Sequence, residues 1–214
     1  MKKKKAILIV TKIAIFSALS TVLYFLKFPL PPFPSFLKIQ FSNLPAVIGG
    51  FILGPWYGVL IVLIRTLITL PFTSSMGVGE LADLLIGGSV VFFSSFVYRL
   101  DKTKKGGMFS LGVSIVTWLI MAIITNVYIN VPFYMEAFKM TDEAFVSILN
   151  QVPWAHLFGE ITVDTYMKVY ILSCVIPFNL LLSLVVSIVT LIVYKKISNI
   201  FHKLDDRLAS QEEN

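Results

Sequence analysis

The chain has 214 residues, of which 57% are hydrophobic and only 14% are charged, and its mean hydropathy is +0.84. A water-soluble domain of this composition would aggregate, so we predict an integral membrane protein of one domain. The net charge of +6 does not indicate a nucleic-acid partner, because the Lys and Arg residues cluster beside apolar runs. The single cysteine, Cys174, excludes a disulfide framework within the chain.

The first apolar run covers residues 6–26 and follows four lysines at residues 2–5. We predict that it is an uncleaved membrane helix, because residues 17–20 make a poor signal-peptide cleavage site. Ala14 and Ala18 stand four residues apart and give this helix one flat face of small side chains. Such a face suits either the close approach of another helix or internal packing, and the residues alone leave both interpretations open.

The next segment is rich in proline, with four prolines between residues 29 and 34. Proline at this density excludes a helix and predicts a stiff, extended loop. Phe41 and several other aromatic residues surround the loop, and Lys38 and Gln40 lie among them. An aromatic loop at a membrane face suits two roles, a lid that stacks on a planar ligand or an anchor in the membrane interface.

Two apolar helices, residues 44–53 and 56–70, follow on either side of Gly54 and Pro55. The first is too short to span a bilayer upright, and it contains several small residues. A short, glycine-bearing apolar segment beside a Pro/Gly break is typical of a membrane binding site. We therefore predict a tight turn at Gly54 and Pro55 at one membrane face.

Three charged residues lie in or beside these apolar runs. Arg65 lies within the third helix, where an unpaired charge is costly, so it is a candidate functional residue. The alternative is a side chain that snorkels from near the helix end. Glu80 and Asp83 lie one turn apart near the start of the fourth helix, residues 80–98. We predict that the three form a charge cluster at one mouth of the bundle, paired with each other or with a ligand.

The last two predicted helices cover residues 108–131 and 168–194. Asn126 and Asn130 share one face of the first of them, Tyr128 lies between them, and Pro132 is predicted to end the helix. The second carries Asn179 beside a predicted kink at Pro177. An amide within a membrane helix usually bonds another helix or a ligand, so these side chains are candidate site residues.

A long polar segment, residues 133–166, separates these two helices, and a short helix capped by Thr141 is predicted within it. His156 lies near Glu160 and Asp164, but the spacing fits no metal-ligand motif, so no metal site is predicted. After residue 204 a polar C-terminal tail, residues 205–214, is expected, with its last four residues disordered.

Together the apolar runs predict an all-α membrane protein with six spans. Positive charge clusters before the first helix, between the fourth and fifth helices, and after the sixth. Six crossings place all three clusters on one side, which the positive-inside rule makes cytoplasmic, so both termini are predicted to be cytoplasmic. The proline-rich loop and residues 71–79 and 133–166 then face outside.

Several classes of function are excluded or disfavoured by the motifs. The chain has no Gly-x-x-x-x-Gly-Lys-Ser/Thr loop, so it does not hydrolyse ATP itself. An intramembrane serine protease needs a His base inside the membrane, whereas His156 and His202 lie outside the predicted spans. A proton-coupled carrier is disfavoured because no inverted repeat is visible.

The chain resembles the substrate-binding (S) components of energy-coupling factor (ECF) vitamin transporters, and most closely their riboflavin-binding branch. The resemblance covers nearly the whole membrane region. The motifs that carry it are Ala14-x-x-x-Ala18, Lys27-Phe28-Pro29-Leu30-Pro31, Phe41-Ser42-Asn43-Leu44-Pro45-Ala46, Gly54-Pro55 with Gly58, Asn126 with Pro132, and Ile176-Pro177-Phe178-Asn179.

The resemblance implies a six-helix vitamin-capture subunit in a prokaryotic cell membrane, with no cofactor and no enzymatic activity. It implies an outward pocket built from the last three helices and the outer loops, with Asn126 and Asn179 at the ligand. It also implies that Ala14 and Ala18 contact a membrane coupling subunit, which joins two cytoplasmic ATPases. The substrate-binding residues that we predict are Lys38, Gln40, Phe41, Arg65, Glu80, Asp83, Asn126, Tyr128 and Asn179.

Three features depart from the riboflavin-binding pattern. Leu182 stands where these binders often carry a lysine, no acidic residue lies near Gln40 or Asn43, and the outer segment 133–166 is longer than usual. A site that hydrogen-bonds a polyol loses about 1–3 kcal/mol when one partner is removed. Another small vitamin, such as pantothenate with its anion at Arg65, is therefore the alternative ligand.

Overall fold

The structure is a computed structural model that describes residues 2–210, with side chains described from residue 6 to residue 201. Its helices are α1 Lys2–Phe25, α2 Asn43–Leu53, α3 Pro55–Thr69, α4 Val78–Leu100, α5 Lys104–Thr125, α6 Val131–Ala137, α7 Asp142–Asn150, α8 Tyr166–Tyr170 and α9 Ile176–Ser210. Short 3-10 turns lie at Leu70–Phe72 and Ala155–Phe158, and π-helical segments at Asn126–Asn130 and Ile171–Val175. The strands β1 Phe28–Pro29 and β2 Lys38–Ile39 pair antiparallel, with Phe28 opposite Ile39.

Five helical segments within the described residues are long and apolar enough to cross a membrane. They are Ala6–Phe25, Pro55–Phe72, Val78–Leu100, Lys104–Ala137 and Tyr166–Phe201. The all-α membrane class predicted from the sequence is therefore confirmed. Helix α2 has 11 residues, so at 1.5 Å per residue it is about 16 Å long, roughly half of the hydrocarbon thickness.

Helix α2 lies at the centre of the bundle and packs against α1, α3, α4 and α9. Gly54 ends it with φ of 108° and ψ of 167°, a backbone conformation that suits glycine, and Pro55 then starts α3. This confirms the predicted break. Small residues allow α2 to approach its neighbours closely. A Cβ atom added to Gly58 would lie 2.8 Å from the Gly50 Cα and 2.4 Å from the Val91 Cγ1.

We expect Gly58→Ala to destabilise the protein, because the added methyl group forces α3 away from α2 and α4. Overpacking of this kind costs about 1–3 kcal/mol. Gly112 in α5 is the matched control, since an added Cβ there meets nothing within 4 Å, and Gly112→Ala should stabilise the helix by up to about 1 kcal/mol. Thermal unfolding in detergent measures both. Equal melting temperatures for the two variants would show that α2 and α3 are not in such close contact.

Each π-helical segment ends one residue before an X-Pro pair, at Val131-Pro132 and at Ile176-Pro177. Proline lacks an N–H and its ring clashes with the carbonyl four residues earlier, so an ordinary helix breaks there. The wider π turn gives the ring room and lets the helix continue. The sequence predicts that Pro132 ends its helix, and this is wrong, because helical structure continues through Ala137.

The segment between α6 and α8 packs over α8 and the π-helical segment that follows it. Thr141 caps α7, its Oγ1 accepting the Ala144 N–H at 3.3 Å, which confirms the predicted short helix. Phe145 and Trp154 anchor the segment, the first by ring contacts with Tyr170 and the second by donating to the Ser173 carbonyl at 2.8 Å.

The last helix continues well beyond the final predicted span. Helix α9 runs through Ser210, so residues 205–210 of the expected polar tail are helical. The disordered end expected at residues 211–214 lies outside the described residues.

Candidate functional site

A cavity of about 420 Å³ lies where α1 ends, α4 begins and α6 follows its π segment. This volume falls within the range of about 300–1,000 Å³ that is typical of small-ligand sites. Polar and aromatic side chains share its wall, which is formed by Tyr24, Lys27, Ser35, Phe36, Lys38, Gln40, Ser74, Ser75, Gly79, Glu80, Tyr134 and Phe138.

Glu80 is held by hydrogen bonds on one side of the cavity, and its side chain is nearly fully buried. Its Oε1 accepts the hydroxyl of Tyr24, and its Oε2 accepts those of Thr73 at 2.5 Å and Ser75 at 3.0 Å. The Lys27 Nζ lies 3.9 Å from Oε1. Because these donors hold both carboxylate oxygens, Glu80 is fixed in position before any ligand arrives.

Lys27 lies at the end of α1 and contacts both Tyr24 and Glu80. Its Nζ donates to the Tyr24 hydroxyl at 2.7 Å and lies 4.0 Å from the centroid of the Tyr24 ring. Burial lowers the pKa of the Lys27 ammonium, and the Glu80 carboxylate opposes that shift. With Lys38, it gives this wall two basic side chains.

Sequence reasoning missed Tyr24 and Lys27. They lie 56 and 53 residues before Glu80, and nothing in the local pattern joins the end of the first helix to the start of the fourth. The available signal was Lys27 itself, a lone charge between an apolar helix and a proline-rich loop.

Arg65 lies behind the wall and is fully buried. Its Nη2 donates to Asp83 Oδ2 at 2.6 Å, and its Nη1 donates to Ser42 Oγ at 2.7 Å and Asn43 Oδ1 at 2.8 Å. Asp83 Oδ1 in turn accepts the Gln40 amide at 2.9 Å. The predicted charge cluster is therefore divided. Arg65 pairs with Asp83, so the charge that would meet an anion such as pantothenate is already paired within the protein. The Arg65 Nε is buried without a hydrogen-bond partner.

Asn126 and Asn179 lie outside the cavity wall, and each takes part in a hydrogen bond between the candidate span Lys104–Ala137 and the candidate span Tyr166–Phe201. The Tyr170 hydroxyl donates to Asn126 Oδ1 at 2.8 Å, and the Trp118 indole donates to Asn179 Oδ1 at 3.1 Å. Their own amide groups donate to the Ala122 and Val175 carbonyls. Both amides are thus satisfied by the protein itself.

The proline-rich loop inserts two aromatic rings between the cavity and the helices that carry these amides. Phe36 lines the cavity, and its ring lies 6.1 Å from those of both Tyr134 and Tyr170. Phe33 lies 5.2 Å from the Trp154 ring and 5.3 Å from the Phe178 ring. The loop therefore packs onto the bundle instead of extending away from it.

Seven of the nine predicted site residues fall into three groups. Lys38, Gln40 and Glu80 line the cavity, Arg65 and Asp83 lie behind it, and Asn126 and Asn179 lie at the helix interface. Phe41 is half-buried against the core.

Tyr128 lies apart from all of these groups, because its side chain is 75% exposed. Its neighbours Asn126 and Asn130 occupy the other side of the helix, two residues away in each direction. No group of three or more His, Cys, Asp or Glu side chains within the described part of the chain is arranged to hold a metal ion.

Comparison with known proteins identifies the family. Residues 9–194 match the sequence profile of the family described as ECF transporter, substrate-specific component. The chain belongs to this ECF substrate-specific component family. The ECF component is therefore a transport subunit and not an enzyme.

Riboflavin transporters of several bacteria resemble this chain along most of their length. It is 28% identical to the riboflavin transporter RibU of Staphylococcus aureus, covering 90% of this chain and 91% of RibU. It is 26% identical to the riboflavin transporter FmnP of Bacillus subtilis, and the match covers 92% of this chain and 93% of FmnP. It is 30% identical to the riboflavin transporter RibU of Lactococcus lactis, and the match covers 83% of this chain and 86% of that RibU.

One solved structure has the same fold. It is described as the S component of a bacterial ECF transporter, and it matches with a TM-score of 0.70 and 26% sequence identity. The match covers 94% of this chain and 98% of that one. The arrangement of helices described above is therefore that of an S component.

Proposed function

We propose that this ECF component captures riboflavin outside a prokaryotic cell for an ECF importer. The observation that carries the proposal is the similarity to riboflavin transporters of several bacteria over 83–92% of the chain.

The composition of the cavity supports this ligand. Riboflavin combines a planar ring system with a polyol chain. The rings of Phe36, Tyr134 and Phe138 offer apolar surfaces on which a planar ring can stack. Hydroxyl and amide groups such as those of Ser74 and Gln40 offer hydrogen bonds to a polyol.

We also propose that the chain crosses the membrane six times, with α2 and α3 together forming a hairpin that turns at Gly54. This arrangement places residues 2–5, the loop after α4 and the basic residues of α9 on the cytoplasmic side, as the positive-inside rule requires. Both termini are then cytoplasmic, and the cavity, at the opposite end of α1 and α4, opens to the outside.

The proposed partners are a membrane coupling subunit and, through it, two cytoplasmic ATPases. The exposure of Ala14 and Ala18 supports this, because both lie on the outward side of α1, while Ser17 between them is buried. Packing within the chain therefore does not account for this pair, and a flat, small-residue face is the kind that another membrane helix approaches closely.

Riboflavin binding is tested on the purified protein by quenching of flavin fluorescence. We expect nanomolar affinity without ATP. We expect Tyr134→Leu, in the cavity wall, to weaken binding by about tenfold because a stacking surface is lost, while Tyr128→Leu, the exposed control, leaves affinity unchanged. If the wild-type protein leaves flavin fluorescence unchanged, riboflavin is not the ligand. The mass of any small molecule that co-purifies with the protein would then identify the ligand.

A further inference from the structure

Asn130 is the last residue of the first π-helical segment, and its side-chain oxygen is buried without a hydrogen-bond partner. A buried acceptor left unsatisfied costs about 1–3 kcal/mol, so native structures contain few of them. An unsatisfied amide oxygen in a binding protein therefore requires an explanation.

Among the residues whose side chains the structure describes, the other buried oxygens without partners are hydroxyls of serine and threonine, as at Ser114 and Ser187. A hydroxyl in a helix can rotate to donate to a carbonyl of the preceding turn, so its cost is easily relieved. The Asn130 Oδ1 differs because it can only accept, and backbone N–H groups inside a helix are already engaged. Its partner has to be a donor from elsewhere.

The position of Asn130 indicates where that donor comes from. Asn126, Asn130 and Tyr134 follow one another at four-residue intervals, so their side chains lie on one side of the helix. Asn126 bonds Tyr170 inside the bundle, and Tyr134 lines the cavity. Asn130 therefore lies between the helix interface and the cavity, on the side opposite the exposed Tyr128.

We propose that Asn130 is a ligand-binding residue whose Oδ1 accepts a hydrogen bond from the captured molecule. This inference rests on the proposed function, in which riboflavin offers two kinds of donor, the ring N3–H and the hydroxyls of its ribityl chain. The oxygen has no partner within the protein and gains one from the ligand, so its cost in stability is recovered as affinity.

The first test compares stability and affinity in Asn130→Leu, which keeps the size of the side chain and removes the acceptor. We expect an unchanged or higher melting temperature without ligand, and riboflavin affinity weakened by about ten- to hundredfold. Ser187→Ala is the matched control, because it removes another unsatisfied buried oxygen in α9, and it should leave affinity unchanged. Asn130→Leu with wild-type affinity would overturn this inference alone. Wild-type protein that does not bind riboflavin would overturn the proposed function and this inference with it.

The second test changes the ligand, so that it also gives a result on the wild-type protein if Asn130→Leu does not fold. The probes are riboflavin, 3-methylriboflavin, which lacks the ring N–H, and lumiflavin, which lacks the ribityl hydroxyls. If the ring N–H is the donor, the variant loses affinity for riboflavin and lumiflavin but not for 3-methylriboflavin. If a ribityl hydroxyl is the donor, only lumiflavin is spared. An equal loss for all three, or equal wild-type affinity for all three, would show that Asn130 makes no hydrogen bond to the ligand.

Discussion

Replacement of Ala14 by tryptophan is expected to abolish riboflavin uptake by cells while leaving riboflavin binding by the purified protein intact. Ala14 and Ala18 are exposed on α1, a helix whose packed side contacts α2 and α3. A bulky indole on this face keeps a partner helix several ångströms away, and close packing between membrane helices depends on small residues at the contact. The ligand cavity meets α1 at Tyr24, ten residues after Ala14 and about 15 Å further along the helix, and is not altered.

The control for this prediction is Gly112→Trp in α5, which also places an indole at an exposed small residue with no atom within 4 Å of an added Cβ. That variant should keep both uptake and binding. Uptake is measured with labelled riboflavin in cells that contain the coupling subunit and ATPases, and binding by fluorescence quenching. Loss of binding in Ala14→Trp would mean that the alanine face serves the fold, and retained uptake would mean that no partner docks there.

Much of the fold could be predicted from the sequence, because long apolar runs and turn residues act locally. The break at Gly54 and the short helix after Thr141 follow from the conformational freedom of glycine and from capping, which need no tertiary information. The continuation of the helix through Pro132 could not be predicted in this way. It depends on a π turn, which the packing of the surrounding helices stabilises and local propensity does not reveal.

The candidate site was only partly predictable for a similar reason. Charge within an apolar run identified Arg65, Glu80 and Asp83, since burial of an unpaired charge is costly wherever the chain places it. Which of them pair could not be predicted, because Glu80 contacts Tyr24 and Lys27, which are distant in sequence. The family motif makes Asn126 a candidate site residue, but it does not reveal that the Tyr170 hydroxyl bonds Asn126.

Arg65→Met is expected to destabilise the protein by about 3–5 kcal/mol, because it leaves the Asp83 carboxylate buried without its partner. Arg65 is completely buried, and the substitution also removes the donor to Ser42 and Asn43, at the start of α2. Lys27→Met provides the comparison. The Lys27 side chain is 22% exposed and lies 3.9 Å from Glu80, so breaking this looser pair should cost about 1 kcal/mol or less.

The double variant Arg65→Met with Asp83→Leu decides whether the pair is structural or serves the ligand. Replacing both charges with apolar groups removes the desolvation cost together with the attraction, so most of the lost stability should return. Thermal unfolding of the two single variants and the double variant measures this coupling, and additive losses of stability would show that the two groups do not act as a pair.

Riboflavin affinity of the double variant then tests whether the pair serves the ligand. Asp83 holds the Gln40 amide in the cavity wall, so a double variant that regains stability but binds riboflavin weakly would show that the ion pair positions Gln40 for the ligand. A double variant with wild-type stability and wild-type riboflavin affinity would show that the ion pair has only a structural role.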